Sequence, residues 1–156
     1  MLDEILQAWQ INHRVNMKLV DGISEAGMRS TLSTRGGRDV ARQFAHMHDV
    51  RCWWLEAHFR ELSKGLTKFA SKPSPSKAEL RKAQAISTAV IEEMFRRAID
   101  GRGVIKGVKH LSAVSVLGYF ISHESHHRGS ILLTLKQTGN KPPTSVQYSI
   151  WDWARI

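Results

Sequence analysis

The sequence has one cysteine and four prolines, and it holds no long uninterrupted apolar run. A lone thiol, Cys52, excludes an intramolecular disulfide and is too few for a cysteine-based zinc cluster. No apolar stretch is long enough to cross a bilayer. The amino-terminal segment MLDEILQAWQINHR opens on acidic residues and lacks the basic stretch and unbroken apolar core of a signal peptide. A soluble cytoplasmic protein without a membrane partner is therefore expected. Acidic residues are also scarce, 14 against 23 Lys and Arg, which leaves a net charge of +9. That excess admits nucleic acid as a partner. The cations are scattered, however: Arg35 and Arg38 in one loop, Lys64, Lys68, Lys72 and Lys77 around another, Arg102, Lys106 and Lys109 in a third. Cations spread over loops read as solvated charge, so nucleic acid is not the expected partner. A non-catalytic basic protein that binds nucleic acid or serves a stress response is the alternative, and steep salt dependence of binding would mark it.

At 156 residues, 42% hydrophobic and 24% charged, the chain suits one domain over 1–156 with a sizeable core. Four stretches have helical apolar spacing and are separated by Gly, Pro and Ser. The first runs from about Asp3 to Asp21, with Ile5, Ala8, Val15 and Leu19 on one side and Gly22 as its stop. The next segment, GISEAGMRSTLSTRGGR, is polar and turn-rich. A second helix is expected from Arg38 or Asp39 to Gly65, because that stretch holds no Gly or Pro; it would be about 40 Å long. Ser76 and Glu79 form a capping box that starts a third helix, which runs to about Ile99 with Leu80, Ala83, Val90, Met94 and Ala98 inward. The fourth covers about His110 to Gln137 and ends at Gly139, Pro142 and Pro143. Residues 138–156 form a tail with three aromatics, expected to pack over the bundle.

The connection GLTKFASKPSPS is long for neighbouring antiparallel helices. At about 3.3 Å per extended residue it can cross the whole molecule, so helices two and three are expected to run parallel through a crossover. In the fourth helix Ser115, Gly118, Ser122, Ser125 and Gly129 make a face almost without side-chain bulk, against which a neighbouring helix or a second subunit should press. Together with the Trp-rich segments, that face suggests a homodimer.

His123 and His127 are four residues apart, which on a helix turns both imidazoles to one face about 40° apart, able to grip one cation. The stripe through Val116, Phe120, His123, His127, Ile131 and Thr134 is otherwise mostly apolar and points inward. A facing helix could supply a third ligand from FAHMHDVRCWW. Periodicity leaves His46 and His48 equally eligible: His48 lines up with Phe44, Cys52, Leu55 and Phe59, His46 with Val50, Trp53 and Ala57. His126 competes as an i, i+3 partner of His123.

The segments AHMHDVRCWWL and HESHHRG, followed by LLTLKQTGNKPP, resemble the DinB/YfiT-like superfamily of metal-dependent enzymes. The resemblance covers most of the chain in order. It implies an all-α fold, a four-helix bundle in up-down-down-up order, and leans towards a homodimer. It also implies ligand roles for His46, followed by Met47 and Asp49, and for His123 and His127, followed by Arg128 and Gly129. Ser130 departs from the pattern, since many members carry glutamine there.

Three neutral imidazoles would leave a divalent ion its full charge, enough to acidify a bound water. Zinc or nickel is expected first, with iron and manganese also accepted by imidazole. The resemblance implies metal-assisted hydrolysis or transfer to a low-molecular-weight thiol, on a small-molecule substrate that the sequence does not name. A purely structural ion is a further alternative; its sphere would be closed by a fourth protein ligand. Asp49, three residues beyond His46, is placed to orient a ligand imidazole or accept a proton. Glu124 and Arg128 have the spacing and order of a helix-surface ion pair, with Arg128 available to an anionic substrate. Cys52 reads as a small core residue, and Trp53 and Trp54 as core or dimer contacts.

Overall fold

The computed structural model describes residues 1–70, 73–98 and 111–156. Among these it holds seven helices and no strand: α1 (Leu2–Gly22), α2 (Glu25–Met28), α3 (Val40–His58), α4 (Arg60–Ser63), α5 (Lys77–Ala98), α6 (Ala113–Gln137) and α7 (Thr144–Ser149). The expected end of the third helix at Ile99 and the expected start of the fourth at His110 lie outside the described residues.

Local chemistry sets the helix ends. Asp39 caps α3 by accepting the Arg42 amide at 2.8 Å, and Ser112 caps α6 by accepting the Ser115 amide at 3.1 Å. The capping box forms: the Glu79 carboxylate accepts the Ser76 amide at 2.8 Å, while Ser76 Oγ accepts the Glu79 amide at 3.3 Å. At the far end of α6, Gly139 takes φ +73°, and the Asn140 amide reaches back to the Leu135 carbonyl at 2.9 Å. The polar segment after α1 also contains a short helix, α2, whose first turn is closed by Ser24 accepting from the Gly27 amide at 3.0 Å.

The second helix is not continuous to Gly65. Phe59 leaves helical geometry at φ −140° and ψ 56°, which separates α3 from the single turn of α4. Neither Gly nor Pro causes this break. It brings Phe59, Leu62 and Leu66 back onto a buried cluster, where the Phe59 ring stacks on Trp54 with centroids 5.8 Å apart. Tertiary burial outweighs helix propensity there.

The long helices α1, α5, α3 and α6 contact one another in that cyclic order, α6 closing on α1. Arg81 pairs with Asp21, Trp9 Nε1 donates to the Thr88 carbonyl, and Gln84 Nε2 donates to the Phe44 carbonyl. Two apolar clusters fill the interior. One gathers Leu6, Trp9, Leu55, Phe95, Val116 and Phe120; the other gathers Leu19, Val20, Phe44, Met47, Ile131 and Leu135. Buried polar residues accompany them: Asn12, Asn16, His48, Arg51, Gln84, Ser87, Thr88 and Glu124. The inner face of α5 accordingly runs through Leu80, Gln84, Ser87, Thr88, Ile91 and Met94, while Ala83 and Val90 flank it.

The tail contacts α1 through α7, and its aliphatic residues are the ones that enter the core. Val146 and Ile150 join the second cluster, and a Cβ built on Gly22 would meet Val146 Cγ1 at 2.6 Å. Tyr148, Trp151 and Trp153 are exposed. The small-residue face of α6 is exposed as well, with nothing within 4 Å of a Cβ built on Gly118 or Gly129. No helix is long and apolar enough to cross a membrane among the described residues.

Candidate metal centre

His46 on α3 faces His123 and His127 on α6. One ring nitrogen from each lies within 4.8 Å of the other two, and the three side chains are half-buried. The ring centroids are 5.4 Å apart for His46 and His123, 4.8 Å for His46 and His127, and 4.7 Å for His123 and His127. Two donors on one zinc ion, each at about 2.1 Å, lie at most about 4.2 Å apart. Small side-chain rotations therefore suffice to bring these imidazoles onto one ion. Burial pushes His46 and His127 down to about 4, helped by Arg38 and His123 at His46 and by His123 and His46 at His127. Burial lowers His123 as well, although Glu124 opposes it. These shifts favour the neutral imidazole at pH 7, the state that a divalent ion requires. The donor set fits a divalent transition metal.

The rival histidines have other surroundings. His48 is buried and lies between Ser87 Oγ and the Thr67 carbonyl, 3.1 Å from each. A carbonyl can only accept, so the proton sits on Nε2 and Nδ1 accepts. His126 is exposed, with its ring centroid 5.2 Å from that of His127. Among the described residues neither joins the three-nitrogen group.

Asp49 is buried beside this centre. Its Oδ1 accepts the Phe69 amide and its Oδ2 the Ala70 amide, both at 2.7 Å. The carboxylate thus ties the segment after α4 to α3. It also favours the protonated form of His46, and it lines with His46 an open cleft of about 300 Å³ that Trp53 and Arg38 share.

Behind the ligand helix lies a group that sequence reasoning missed. Glu124 is not paired with Arg128 at the surface; it is 1% exposed and forms a salt bridge with the fully buried Arg51 on α3. Arg51 Nε donates to Glu124 Oε1 at 2.6 Å, and the amides of Asn12 and Asn16 donate to Oε2 at 2.6 and 2.7 Å. Burial alone would raise the Glu124 carboxyl, but Arg51 and these amides outweigh it and hold the group below its ordinary value. Arg51 further donates to Ser87 Oγ and Thr88 Oγ1, and its guanidinium lies 4.6 Å over the Trp9 ring. Arg128 donates to the Asn12 and Asn16 side-chain oxygens, each at 2.8 Å. Two adjacent residues of α6 therefore divide the work: His123 faces the site while Glu124 locks α6 to α3 and α1. The available signal was Arg51 itself, a charge three residues beyond His48 and four before Leu55 on a buried stripe.

A search of curated proteins finds no match. The DinB family model matches residues 1–152, nearly the whole chain and all three clustered histidines, and the chain belongs to the DinB family.

Proposed function

We propose that this chain is a metalloenzyme in which His46, His123 and His127 hold one divalent transition ion, zinc or nickel first, iron or manganese as alternatives. The observation that carries this reading is the convergence of three neutral imidazole nitrogens from α3 and α6 within 4.8 Å. Among the described residues no fourth His, Cys, Asp or Glu joins them. That favours a site with open positions over a closed structural one. An ion bound there would act as a Lewis acid, acidifying water or accepting a thiolate, which suits metal-assisted hydrolysis or a low-molecular-weight-thiol transferase.

The protein's own part in such chemistry is positional. Glu124 and Arg51 fix α6 against α3, so the two ligand-bearing helices keep one spacing. Asp49 is proposed as the neighbour that tunes His46, holding negative charge beside it while its oxygens anchor Phe69 and Ala70. An up-down-down-up order for the four long helices belongs to the same reading. It is supported by the pairing of the end of α1 with the start of α5 through Asp21 and Arg81. The rising register of α3 and α5 also supports it, Phe44 with Gln84 and then Arg51 with Thr88.

Elemental analysis of the purified protein tests the assignment. About one transition metal per chain is expected, lost in the His123→Ala, His127→Ala double variant. A chain that takes up no metal when offered zinc, nickel, iron or manganese defeats it. Given a loaded protein, a screen of thiol acceptors and hydrolysable esters and amides separates the two chemistries.

A further inference from the structure

The cleft of about 300 Å³ beside His46 is at the lower end of the size that small-molecule sites occupy. Its charges are unequally engaged. Arg42 donates to the Ala70 carbonyl at 2.7 Å. Asp49, the acid of the cleft, has both oxygens occupied by backbone amides. Arg38 is exposed, and among the described residues its guanidinium makes no ion pair or hydrogen bond. In the same cleft Trp53 offers an apolar surface, 44% exposed, with its ring centroid 6.0 Å from that of His46. An unengaged guanidinium, an exposed indole and the His46 imidazole thus border one small space, with His123 and His127 facing His46 from α6.

We propose that this cleft binds the substrate and that the substrate is a small organic anion, its carboxylate or phosphate held by Arg38 and its flat apolar part lying against Trp53. The inference rests on the metal reading above and adds the substrate class. The guanidinium fork matches carboxylate and phosphate oxygens in two-point contact. Arg38 lines the cleft beside His46, and with no protein partner among the described residues its charge is left to attract an anion. With an ion on the histidines the attraction would strengthen.

The test uses zinc-loaded full-length protein, its metal content fixed by elemental analysis before any ligand is added. Benzoate, phenyl phosphate and the neutral benzamide are titrated by calorimetry into the unaltered chain and into Arg38→Gln and Trp53→Ala. At least one of the two anions should bind about tenfold tighter than benzamide, the worth of one charge-assisted contact. The tighter of the two identifies the head group. Arg38→Gln should erase the difference, and Trp53→Ala should weaken all three probes. The thermal midpoint of Arg38→Gln should match the parent, because the side chain it removes makes no bond. Anion affinity unchanged in Arg38→Gln, or benzamide binding as tightly as the anions, overturns the inference while the measured zinc leaves the metal centre standing. Absence of zinc is read separately, before titration, and would remove both.

Discussion

Cys52 sits one helical turn from His48, its Sγ 3.3 Å from the imidazole Nε2, a spacing that in other settings makes a nucleophile. Here it does not. Burial, reinforced by Asp49 and Glu56, pushes the thiol up to about 12, so the thiolate that would react is absent at neutral pH. Native protein at pH 8 should resist alkylation by iodoacetamide, with modification at least about a hundredfold slower than in denaturant, where the thiol titrates near its ordinary value of about 8.5. Rapid alkylation of the folded chain, followed by mass spectrometry, would contradict this. The sign for stability follows: a thiol whose proton is held more tightly when folded contributes below its unfolded value, and that contribution is lost as pH rises through about 12. The choice between His46 and His48 shows where sequence stops at this scale. The stripe of His48 is buried at Phe44, Cys52 and Leu55, whereas on that of His46 Trp53 and Ala57 are exposed; both stripes are equally apolar in sequence, so periodicity could not separate them. What separates them is the partner each ring meets, Ser87 and Thr67 for His48, two imidazoles for His46.

At the scale of helices, α6 was legible as an inward stripe: Val116, Phe120, Ile131 and Thr134 are buried, with His123 and His127 half-buried between them. The break at Phe59 was not, because nothing in its local sequence forbids a helix and the cause is a distant cluster. Glu124 was misread for a related reason. An i, i+4 spacing to Arg128 describes a helix surface, whereas the true partners are 73 and 112 residues away. That long-range lock yields a prediction. Arg51→Ala leaves a buried carboxylate unpaired and should destabilise the chain by about 3–5 kcal/mol. Arg51→Met combined with Glu124→Leu removes both charges and should recover a substantial part of that loss. Denaturant midpoints at pH 7 read both. A double variant less stable than Arg51→Ala would mean that the charges act independently.

For the whole molecule, the histidines couple folding to acid and to metal at once. His13, His46 and His127 are each depressed to about 4 in the folded chain, and burial lowers His48 and His123 too. Unfolded, they would titrate near 6.5. The unfolded chain therefore binds more protons between those values, and stability present above about 6.5 is lost as pH falls towards 4. Metal-free protein should show a lower denaturant midpoint at pH 5 than at pH 7. An ion on His46, His123 and His127 joins α3 to α6 and binds the folded state preferentially; at a thousandfold excess over Kd that is worth about 4 kcal/mol. Protons compete for the same nitrogens only near their folded values of about 4, so the gap between loaded and metal-free protein should hold from neutrality to about pH 5 and shrink as pH falls through about 4. The His123→Ala, His127→Ala variant should show no such gap at any pH. A metal-induced stabilisation that persists undiminished as pH falls through about 4, or survives in that variant, would place the ion elsewhere, because a site built from these imidazoles loses its hold on the metal in step with their protonation.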